Sequence, residues 1–454
     1  MNPTLVRKVI YPAYRALKRD GVLRSGTEMR RIASLEPEEI QQYQLQKMQR
    51  LLAYAAKHVP YYRRVFKDLD VRVEDFKQLG DLLRLPVLRK QDIRENLRDL
   101  VSEVYPKRHL RYDRTSGATG ESLYFYYDRA SSEARRANYV EMNRCIGIDI
   151  GDRIAYLWGR QFDVPRSKRL LNSLRATISN NLMLSMYAMD PKSLERYTEV
   201  LAKFKPHAIV GYPSALAHFA QAVAASSKQA FQPSAIVVSG EMLYDWQRET
   251  IEKAFGAKVY NHYGCCEFGA VARECRARNG LHVASDRILI EVVPVERSAT
   301  GEEISELVVT DLDNYGMPFI RYAIEDMGAI TWDGCECGLR LPRLHNAIGR
   351  TFDVIRAPNH NFLGGTFWTI LLKTAKGVER FQVIQEKIDS ITIAVVPTPE
   401  FSDESRAYIL AKVREACGPE MEVHFDLRQS LEPTAGGKHR FVISRIGLKD
   451  DQAR

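Results

Sequence analysis

The sequence predicts an α/β protein with a large N-terminal domain and a small α+β C-terminal domain. Three observations predict this class. Apolar residues between Pro37 and Pro60 recur every three or four positions, which is typical of an amphipathic helix. Short β-rich runs then alternate with helical stretches, and beyond Arg350 a few strands and one helix follow in a short region. A helical lead-in therefore precedes the sheet.

The central part of the chain supplies the α/β pattern. We predict strands at residues 153–158, 208–211 and 235–239, because these runs are apolar and rich in β-branched or aromatic residues. Amphipathic helices are predicted between and after them, at residues 193–204 and 244–255. Strand and helix in alternation favour a sheet covered by helices.

A change of pattern follows. Between Ile288 and Ile330 short alternating strands with glycine-containing turns indicate a small antiparallel β region. After Gly349 the pattern indicates strands at 381–385, 391–396 and 422–425 and a helix at 403–417. We therefore predict an N-terminal domain of residues 1–349 and a C-terminal domain of residues 350–454.

The net charge of the chain is compatible with several classes of binding partner. The 454 residues are 45% hydrophobic and 27% charged, with a net charge of +9 and a pI near 9.0. Such a charge suits nucleic acid, an anionic membrane surface or a polyphosphate ligand. A nucleic-acid binder is disfavoured because the lysines and arginines are scattered and no stacking-aromatic RNA motif is present.

The N-terminal segment has a local excess of basic residues. Two interpretations remain open for it: a solvated helix face or contact with a membrane surface. We expect a cytoplasmic protein, because no uninterrupted apolar signal segment is found and the seven cysteines are an odd number. The charged residues of the segment are Arg7, Lys8, Arg15, Lys18, Arg19, Arg24, Arg30 and Arg31, against Asp20 and Glu28.

A hexapeptide rich in glycine and hydroxyl side chains, Thr115 to Gly120, has the composition of a phosphate-binding loop. Its glycines allow close approach of the backbone to a polyanion, and hydroxyl and main-chain N–H groups donate to phosphate oxygens. It is not a Walker loop, because no Gly-Lys-Ser/Thr closes it. Taken alone, a hexapeptide of this composition is more often a plain turn than a phosphate loop.

Further motifs follow this loop in order. They are Ser239-Gly-Glu-Met-Leu, the run from Tyr260 to Gly269, the run from Thr310 to Tyr322 with Asp326 beyond it, Gly349 to Asp353, and Ala435 to Phe441. From about Leu51 to its end, the sequence resembles the phenylacetate-CoA ligase family of adenylate-forming enzymes, including members found in capsular-polysaccharide loci. The resemblance implies a large domain that binds ATP and an acid, and a mobile C-terminal domain.

The same resemblance implies nucleotide-binding roles. The first loop would hold the phosphates, the Ser239 loop would lie beside adenine, Tyr263 would stack on adenine, and Asp326 would bind the ribose hydroxyls. A surface pair between Asp326 and Arg321 is the alternative for that carboxylate. The implied binding residues are Thr115, Ser116, Gly117, Thr119, Gly120, Ser239, Gly240, Glu241, Tyr263, Gly264, Asp326 and Arg350.

Three residues are implied in catalysis. Glu267 would hold Mg²⁺, Arg350 would reach the nucleotide from the hinge, and Lys438 would neutralise charge that develops between the attacking carboxylate and the α-phosphate. The structural alternatives are a carboxylate in a surface turn for Glu267 and an ordinary exposed lysine for Lys438.

Four residues outside the nucleotide motifs indicate a metal site. Cys275 and His282 flank a Gly-Leu turn, and Cys335 and Cys337 are spaced so that both reach one ion. Three thiolates and one imidazole form a closed tetrahedral zinc site, which is structural because no ligand position stays open. Some members of the resembled group carry such a site. Free buried cysteines are the alternative.

The expected function is ATP-dependent activation of a small carboxylic acid to acyl-AMP, followed by transfer to CoA or another thiol. The expected cofactors are ATP, Mg²⁺ and structural Zn²⁺, with CoA as the acceptor, and a carrier protein or an amine as the other acceptors. The alternatives are transfer to an amine or hydroxyl in polysaccharide or secondary-metabolite biosynthesis, and a nucleotide-binding module without turnover. No nucleic-acid partner is expected, and a homodimer is compatible with the sequence.

Overall fold

A computed structural model describes residues 2–115, 123–158, 180–185, 191–225, 231–297, 303–350, 354–359, 362–431 and 441–446. The chain forms two compact units. The larger contains Met1–Glu291, Val308–Ala323 and Ile330–His345, and the smaller contains Val292–Leu307, Ile324–Ala329 and Asn346–Arg454. The last change of unit lies close to the predicted boundary at residue 350, and the mobility of the C-terminal domain stays a prediction.

Helices form the N-terminal part of the larger unit. The long helix α4 confirms the predicted lead-in: Pro37 occupies its first turn and the Glu39 carboxylate accepts a hydrogen bond from the Glu36 N–H at 3.0 Å. The helices of the described residues are α1 (Pro3–Leu5), α2 (Tyr11–Lys18, after a π-turn at Val6–Ile10), α3 (Val22–Ile32), α4 (Pro37–His58), α5 (Pro60–Asp68), α6 (Lys90–Asn96), α7 (Arg129–Cys145), α8 (Pro191–Phe204), α9 (Pro213–Ala225), α10 (Asp245–Phe255), α11 (Gly365–Thr374) and α12 (Asp403–Cys417).

The described strands form one large sheet and three small ones. They are β1 (Arg111–Arg114), β2 (Tyr124–Tyr127), β3 (Ile154–Trp158), β4 (Asn181–Ser185), β5 (Ala208–Gly211), β6 (Ala235–Ser239), β7 (Lys258–Cys265), β8 (Gly269–Glu274), β9 (Leu281–Val283), β10 (Ile288–Arg297), β11 (Glu303–Asp311), β12 (Tyr322–Thr331), β13 (Arg343–Arg350), β14 (Val354–Arg356), β15 (Phe362–Gly364), β16 (Val378–Lys387), β17 (Ser390–Pro397), β18 (Glu422–Leu427) and β19 (Val442–Ser444). The large sheet has the order β10-β11-β12-β13-β9-β8-β7-β6-β5-β3-β4.

The parallel half of the large sheet contains β4, β3, β5, β6 and β7. Its central strands β5 and β6 are buried on both faces, which explains why their sequences are almost wholly apolar. On one face Leu157, Ile209 and Val238 pack with residues of α8, α9 and α10. The predicted strands and helices of this region are confirmed, with ends that differ by two residues or fewer.

The smaller unit has its own core and sheet. Its four strands have the order β18-β17-β16-β19, in which β16 and β17 are antiparallel and the outer pairs are parallel. Trp368, Phe381, Ile393 and Val413 are buried together in its core. The strands and the helix predicted after residue 380 are therefore confirmed.

Within the described residues, no helix is both long enough and apolar enough to cross a membrane.

Candidate active site and metal centre

Two motifs of the predicted site lie side by side at the carboxyl edge of the parallel strands. The Ser239 loop begins where β6 ends, and β6 pairs with β7 through Ser239 and His262. One residue further along β7 is Tyr263, and β5 ends at Gly211 beside them. This edge is where open α/β sheets bind their ligands, because the loops that follow neighbouring strands converge there.

The Ser239 loop is tied to the start of helix α9. One Glu241 carboxylate oxygen accepts a hydrogen bond from the Ser214 N–H at 3.0 Å, in the first turn of that helix. Gly240 has a φ of +84°, a conformation that side chains rarely adopt. Glycine and glutamate at these two positions therefore fix the backbone of the loop.

The backbone at Tyr263 and Gly264 is set by close packing. The pairing of β7 with β8 shifts register between these two residues, which is a β-bulge. A Cβ at Gly264 would lie 2.3 Å from the carbonyl oxygen of Gly269, so a larger residue does not fit there. The bulge and the glycine together set the direction of the main chain between Tyr263 and Glu267.

Glu267 is a buried residue, and one of its carboxylate oxygens accepts a hydrogen bond. Its side chain accepts a hydrogen bond from the Tyr322 hydroxyl at 3.0 Å, and the residue is 5% exposed. Among the described residues its second carboxylate oxygen has no hydrogen-bond partner. A buried carboxylate with a spare oxygen fits the preference of Mg²⁺ for hard oxygen ligands.

Two buried arginines fix the main chain around Glu267. Arg287 donates to the carbonyl oxygen of Phe268 at 2.9 Å and to the Asp311 carboxylate at 2.9 Å. Arg135 of α7 donates to the carbonyl oxygens of Cys266 and Glu267, lies 3.6 Å from Asp311, and stacks its guanidinium over the Tyr127 ring. Burial, together with the nearby Arg287 cation, lowers the pKa of Arg135. We call Arg135, Arg287 and Asp311 the charge cluster.

The run from Thr310 to Tyr322 is tied to the start of α7. Asp128 caps this helix by accepting from the Ser131 N–H at 2.8 Å, and its other oxygen accepts from the N–H groups of Tyr315 and Gly316. One carboxylate therefore joins this motif to the helix that carries Arg135.

The predicted phosphate loop connects two antiparallel strands, β1 and β2. Thr115 closes the hairpin, because its N–H donates to the Leu123 carbonyl and its hydroxyl accepts from the Leu123 N–H, both at 2.9 Å. Ser116, Gly117, Thr119 and Gly120 lie outside the described residues. Their role as phosphate ligands stays a prediction.

The remaining nucleotide residues are only partly described. Asp326 is a half-buried residue of β12, in the smaller unit. Arg321, its alternative partner, instead forms an ion pair with Glu291 at 3.0 Å. Arg350 is the last residue of β13, and Lys438 lies outside the described residues. The assignments of Asp326, Arg350 and Lys438 stay predictions.

The four predicted zinc ligands lie together in the larger unit. The nitrogen and sulfur atoms of Cys275, His282, Cys335 and Cys337 all lie within 4.8 Å of one another, and Glu267 is not part of this group. Cys275 follows β8 and His282 lies on the neighbouring strand β9, whereas both other cysteines lie between β12 and β13. Strand pairing therefore brings together residues that are 60 positions apart.

The geometry of this group fits zinc. The sulfur atoms of Cys275 and Cys335 are 3.7 Å apart, and the Cys337 sulfur is 3.3 Å from His282 Nε2. Tetrahedral bonds of about 2.3 Å to sulfur and about 2.0 Å to nitrogen separate two sulfurs by about 3.8 Å and sulfur from nitrogen by about 3.5 Å. His282 Nδ1 lies 3.3 Å from the Leu341 carbonyl, which leaves Nε2 free to bind a metal. Burial lowers the pKa of His282 to about 4, so the imidazole is neutral.

The sequence did not single out four residues that organise this site. Arg135, Arg287, Asp128 and Tyr322 support Glu267 or the motif after Thr310. Tyr322 and Asp311 fall inside that motif, so proximity to it was the one available signal. No sequence signal separates Arg135 from its exposed neighbour Arg136.

Known proteins are similar to this chain over most of its length. Residues 357–445 match the family model of the CapK C-terminal domain. Protein CapK of Staphylococcus aureus is 24% identical over 428 residues, which cover 90% of each chain. Phenylacetate-coenzyme A ligase of Thermus thermophilus is 25% identical over 403 residues, which cover 85% of this chain and 88% of the relative.

The chain is a relative of the phenylacetate-CoA ligases and of CapK. A crystal structure of 2-hydroxyisobutyryl-CoA ligase in the postadenylation state has the same fold, with a TM-score of 0.71, 22% identity and 91% of each chain covered. The predicted fold class and the predicted class of enzyme, an adenylate-forming ligase, are confirmed.

Proposed function

We propose that this phenylacetate-CoA-ligase-like protein uses ATP to convert a carboxylic acid to its acyl-AMP and then transfers the acyl group to CoA or another thiol. The observation that carries the proposal is that Ser239 pairs with His262, next to Tyr263, on the strand β7 that leads to the buried carboxylate of Glu267. Relatives named phenylacetate-CoA ligase, similar over 85–93% of this chain, support the same reaction.

In the first step a carboxylate oxygen of the acid attacks the α-phosphorus of ATP, and the bond to pyrophosphate breaks. We assign Glu267 to Mg²⁺, which neutralises phosphate charge when bound, and Lys438 to the charge that develops at the α-phosphate. In the second step a thiol sulfur attacks the acyl carbon, and AMP leaves with the electron pair of the broken C–O bond. The charge cluster holds the backbone beside Glu267 throughout.

The acceptor is the finer part of the proposal. Relatives named phenylacetate-coenzyme A ligase favour CoA as the acceptor. Transfer to an amine or hydroxyl is the second candidate. The two are separated by supplying the acyl-AMP-forming enzyme with CoA or with an amine and measuring which one accelerates AMP release.

The decisive test is exchange of labelled pyrophosphate into ATP, with CoA omitted, across aryl, fatty and amino acids. We expect acid-dependent exchange by the wild type and a loss on the order of a hundredfold in Lys438→Ala, because one electrostatic contact to the transition state is removed. The matched control is Lys412→Ala, which removes an exposed lysine of α12 that pairs with Glu415 at 2.6 Å. If none of the acids supports exchange although ATP binds tightly, the result would favour a nucleotide-binding module.

We also propose that Cys275, His282, Cys335 and Cys337 hold a structural zinc ion. One zinc per chain is expected by elemental analysis of the purified protein, and Cys335→Ser is expected to lower both the zinc content and the melting temperature by several degrees. Cys145→Ser, at an exposed free cysteine, is the control. A zinc content that the Cys335 change leaves intact would contradict the assignment.

A further inference from the structure

The outward face of the first helical segment carries a stripe of apolar side chains. Residues from Pro3 to Lys18 are helical throughout, through α1, the π-turn and α2. Leu5, Val9 and Leu17 are 48%, 56% and 82% exposed, and Ala13 completes their four-residue spacing. Side chains four residues apart lie on one face of a helix, so these residues form a continuous row. We call this row the apolar stripe.

The opposite face of the same segment is fixed to the larger unit. Val6 is buried, and Arg7 forms ion pairs with Asp149 at 3.1 Å and Asp152 at 3.0 Å. A Cβ at Gly151 would lie 2.7 Å from the Pro3 carbonyl oxygen, so the start of the helix packs closely on this turn. The apolar stripe is therefore the outer surface of a helix whose inner face is packed on the larger unit.

In residues 2–32, which contain the apolar stripe, the exposed charges that have no ion-pair partner all have one sign. Lys8, Lys18, Arg19 and Arg24 are exposed, and none of them has a carboxylate partner within the described residues. The two acidic residues of the region are already paired: Asp20 with Arg15 at 2.7 Å, and Glu28 with Arg31 at 2.7 Å. We call the four exposed cations the basic flank.

An exposed apolar row beside unpaired cations is the pattern of a helix that lies in the interface of a bilayer. Leucine and valine side chains enter the acyl region, while lysine and arginine reach the headgroups with their long stems. Tyr14, 41% exposed on the same helix, has the amphipathic ring that such interfaces favour. A protein groove would bind the apolar residues equally well, but it would not by itself require four unpaired cations.

We propose that the apolar stripe and the basic flank dock this protein on a membrane surface that carries anionic phospholipid. The helix lies in the plane of the interface and does not cross it. This inference does not depend on the reaction catalysed, since it rests on residues of the N-terminal helices and not on the residues assigned to catalysis.

The test is flotation of the full chain with lipid vesicles. Vesicles of phosphatidylcholine are compared with vesicles in which part of that lipid is replaced by phosphatidylglycerol. We expect flotation only with the anionic vesicles, and release at high salt because the attraction is screened. Each basic residue contributes about fivefold to binding, so changing all four residues of the basic flank to Gln is expected to weaken binding several hundredfold.

Leu17→Asp isolates the apolar contribution. It places a charge in the apolar stripe at the most exposed position, and we expect it to abolish flotation while the protein stays folded. The controls are Leu83→Asp, at a leucine that is 65% exposed, and Arg72→Gln, at an exposed arginine; both lie elsewhere on the larger unit and are expected to leave flotation unchanged.

Three outcomes would overturn the proposal. Wild-type protein fails to float, flotation survives both sets of changes, or neutral and anionic vesicles bind alike. Light scattering tests the other occupant, a second copy of the chain. A dimer of the wild type that Leu17→Asp converts to a monomer, without any flotation, would assign the apolar stripe to that interface.

Discussion

Replacing Asp311 by Ala is expected to lower the free energy of unfolding by about 3–5 kcal/mol, because the change leaves buried cations without their counter-ion. The side chains of Asp311 and Arg287 are both fully buried and lie 2.9 Å apart. Arg135, whose side chain is 11% exposed, lies 3.6 Å from the same carboxylate. One substitution therefore leaves two cations unpaired where water cannot replace the lost contact.

The control is an ion pair of the same type in water. Asp99 pairs with Arg64 at 2.6 Å, and both side chains are about half exposed. Asp99→Ala is expected to cost about 0–1 kcal/mol, since exposed pairs are screened and their side chains lose entropy when they pair. Chemical denaturation of both variants measures the difference, and equal losses would contradict the role of the charge cluster.

The cluster also links stability to the proposed chemistry. Arg135 and Arg287 both donate to main-chain carbonyl oxygens between Cys266 and Phe268, on either side of Glu267. A variant that loosens them displaces the carboxylate assigned to Mg²⁺. Below its unfolding transition, Asp311→Asn is therefore expected to lower pyrophosphate exchange, whereas Asp99→Asn leaves it unchanged.

Local periodicity predicted the elements that lie on regular faces. The repeat of three and four residues before Pro60 predicted α4, and alternating apolar residues predicted β16 and β17. A helical pattern predicted α12. For the helix that carries the apolar stripe, the sequence indicated the basic residues but not the bounds, and a π-turn at Val6–Ile10 lies within it.

Pairing between distant segments could not be predicted from local pattern. Nothing in the sequence around Ile288 shows that the antiparallel strands extend the same sheet as β5 and β6. The same applies to charges: adjacent Asp286 and Arg287 resemble a solvated turn, yet Arg287 is fully buried. Burial of a charge depends on partners supplied by distant residues, here Asp311.

Spacing was more informative for the candidate sites. The Cys335-x-Cys337 spacing and the Cys275 to His282 spacing predicted a common cluster, and the structure brings their ligand atoms within 4.8 Å. Short spacings of this kind fix distances within a turn, whereas the meeting of two such pairs depends on the antiparallel register of β8, β9 and β13. The zinc ion itself stays a prediction.

Asp286 is expected to make the stability of the protein fall as the pH rises from about 4 to about 7. Burial, followed by the repulsion of Asp313, raises the pKa of this carboxyl from 3.8 to about 7. One of its oxygens has no hydrogen-bond partner among the described residues. The Lys47 ammonium lowers this pKa only in part, because it also pairs with Asp313 at 2.5 Å.

The direction of the effect follows from the proton count. Below about pH 4 the carboxyl is protonated in both states and contributes no difference. Between about pH 4 and about pH 7 it ionises when the chain unfolds and stays protonated when the chain is folded. The free energy of unfolding therefore falls by about 1.4 kcal/mol per pH unit, about 4 kcal/mol in all. Above pH 7 both states are ionised and the loss is complete.

Asp286→Asn removes this dependence, because an amide of the same shape has no proton to lose. The variant is expected to match the wild type near pH 4 and to exceed it at pH 8 by several kcal/mol in the free energy of unfolding. Asp99→Asn, the same substitution at an exposed aspartate, is the control for replacing Asp by Asn. The measurement is the free energy of unfolding of both proteins at pH 5 and at pH 8. If the variant differs from the wild type by the same amount at both pH values, Asp286 keeps its charge in the folded protein. The Lys47 ammonium would then compensate for the burial of that charge.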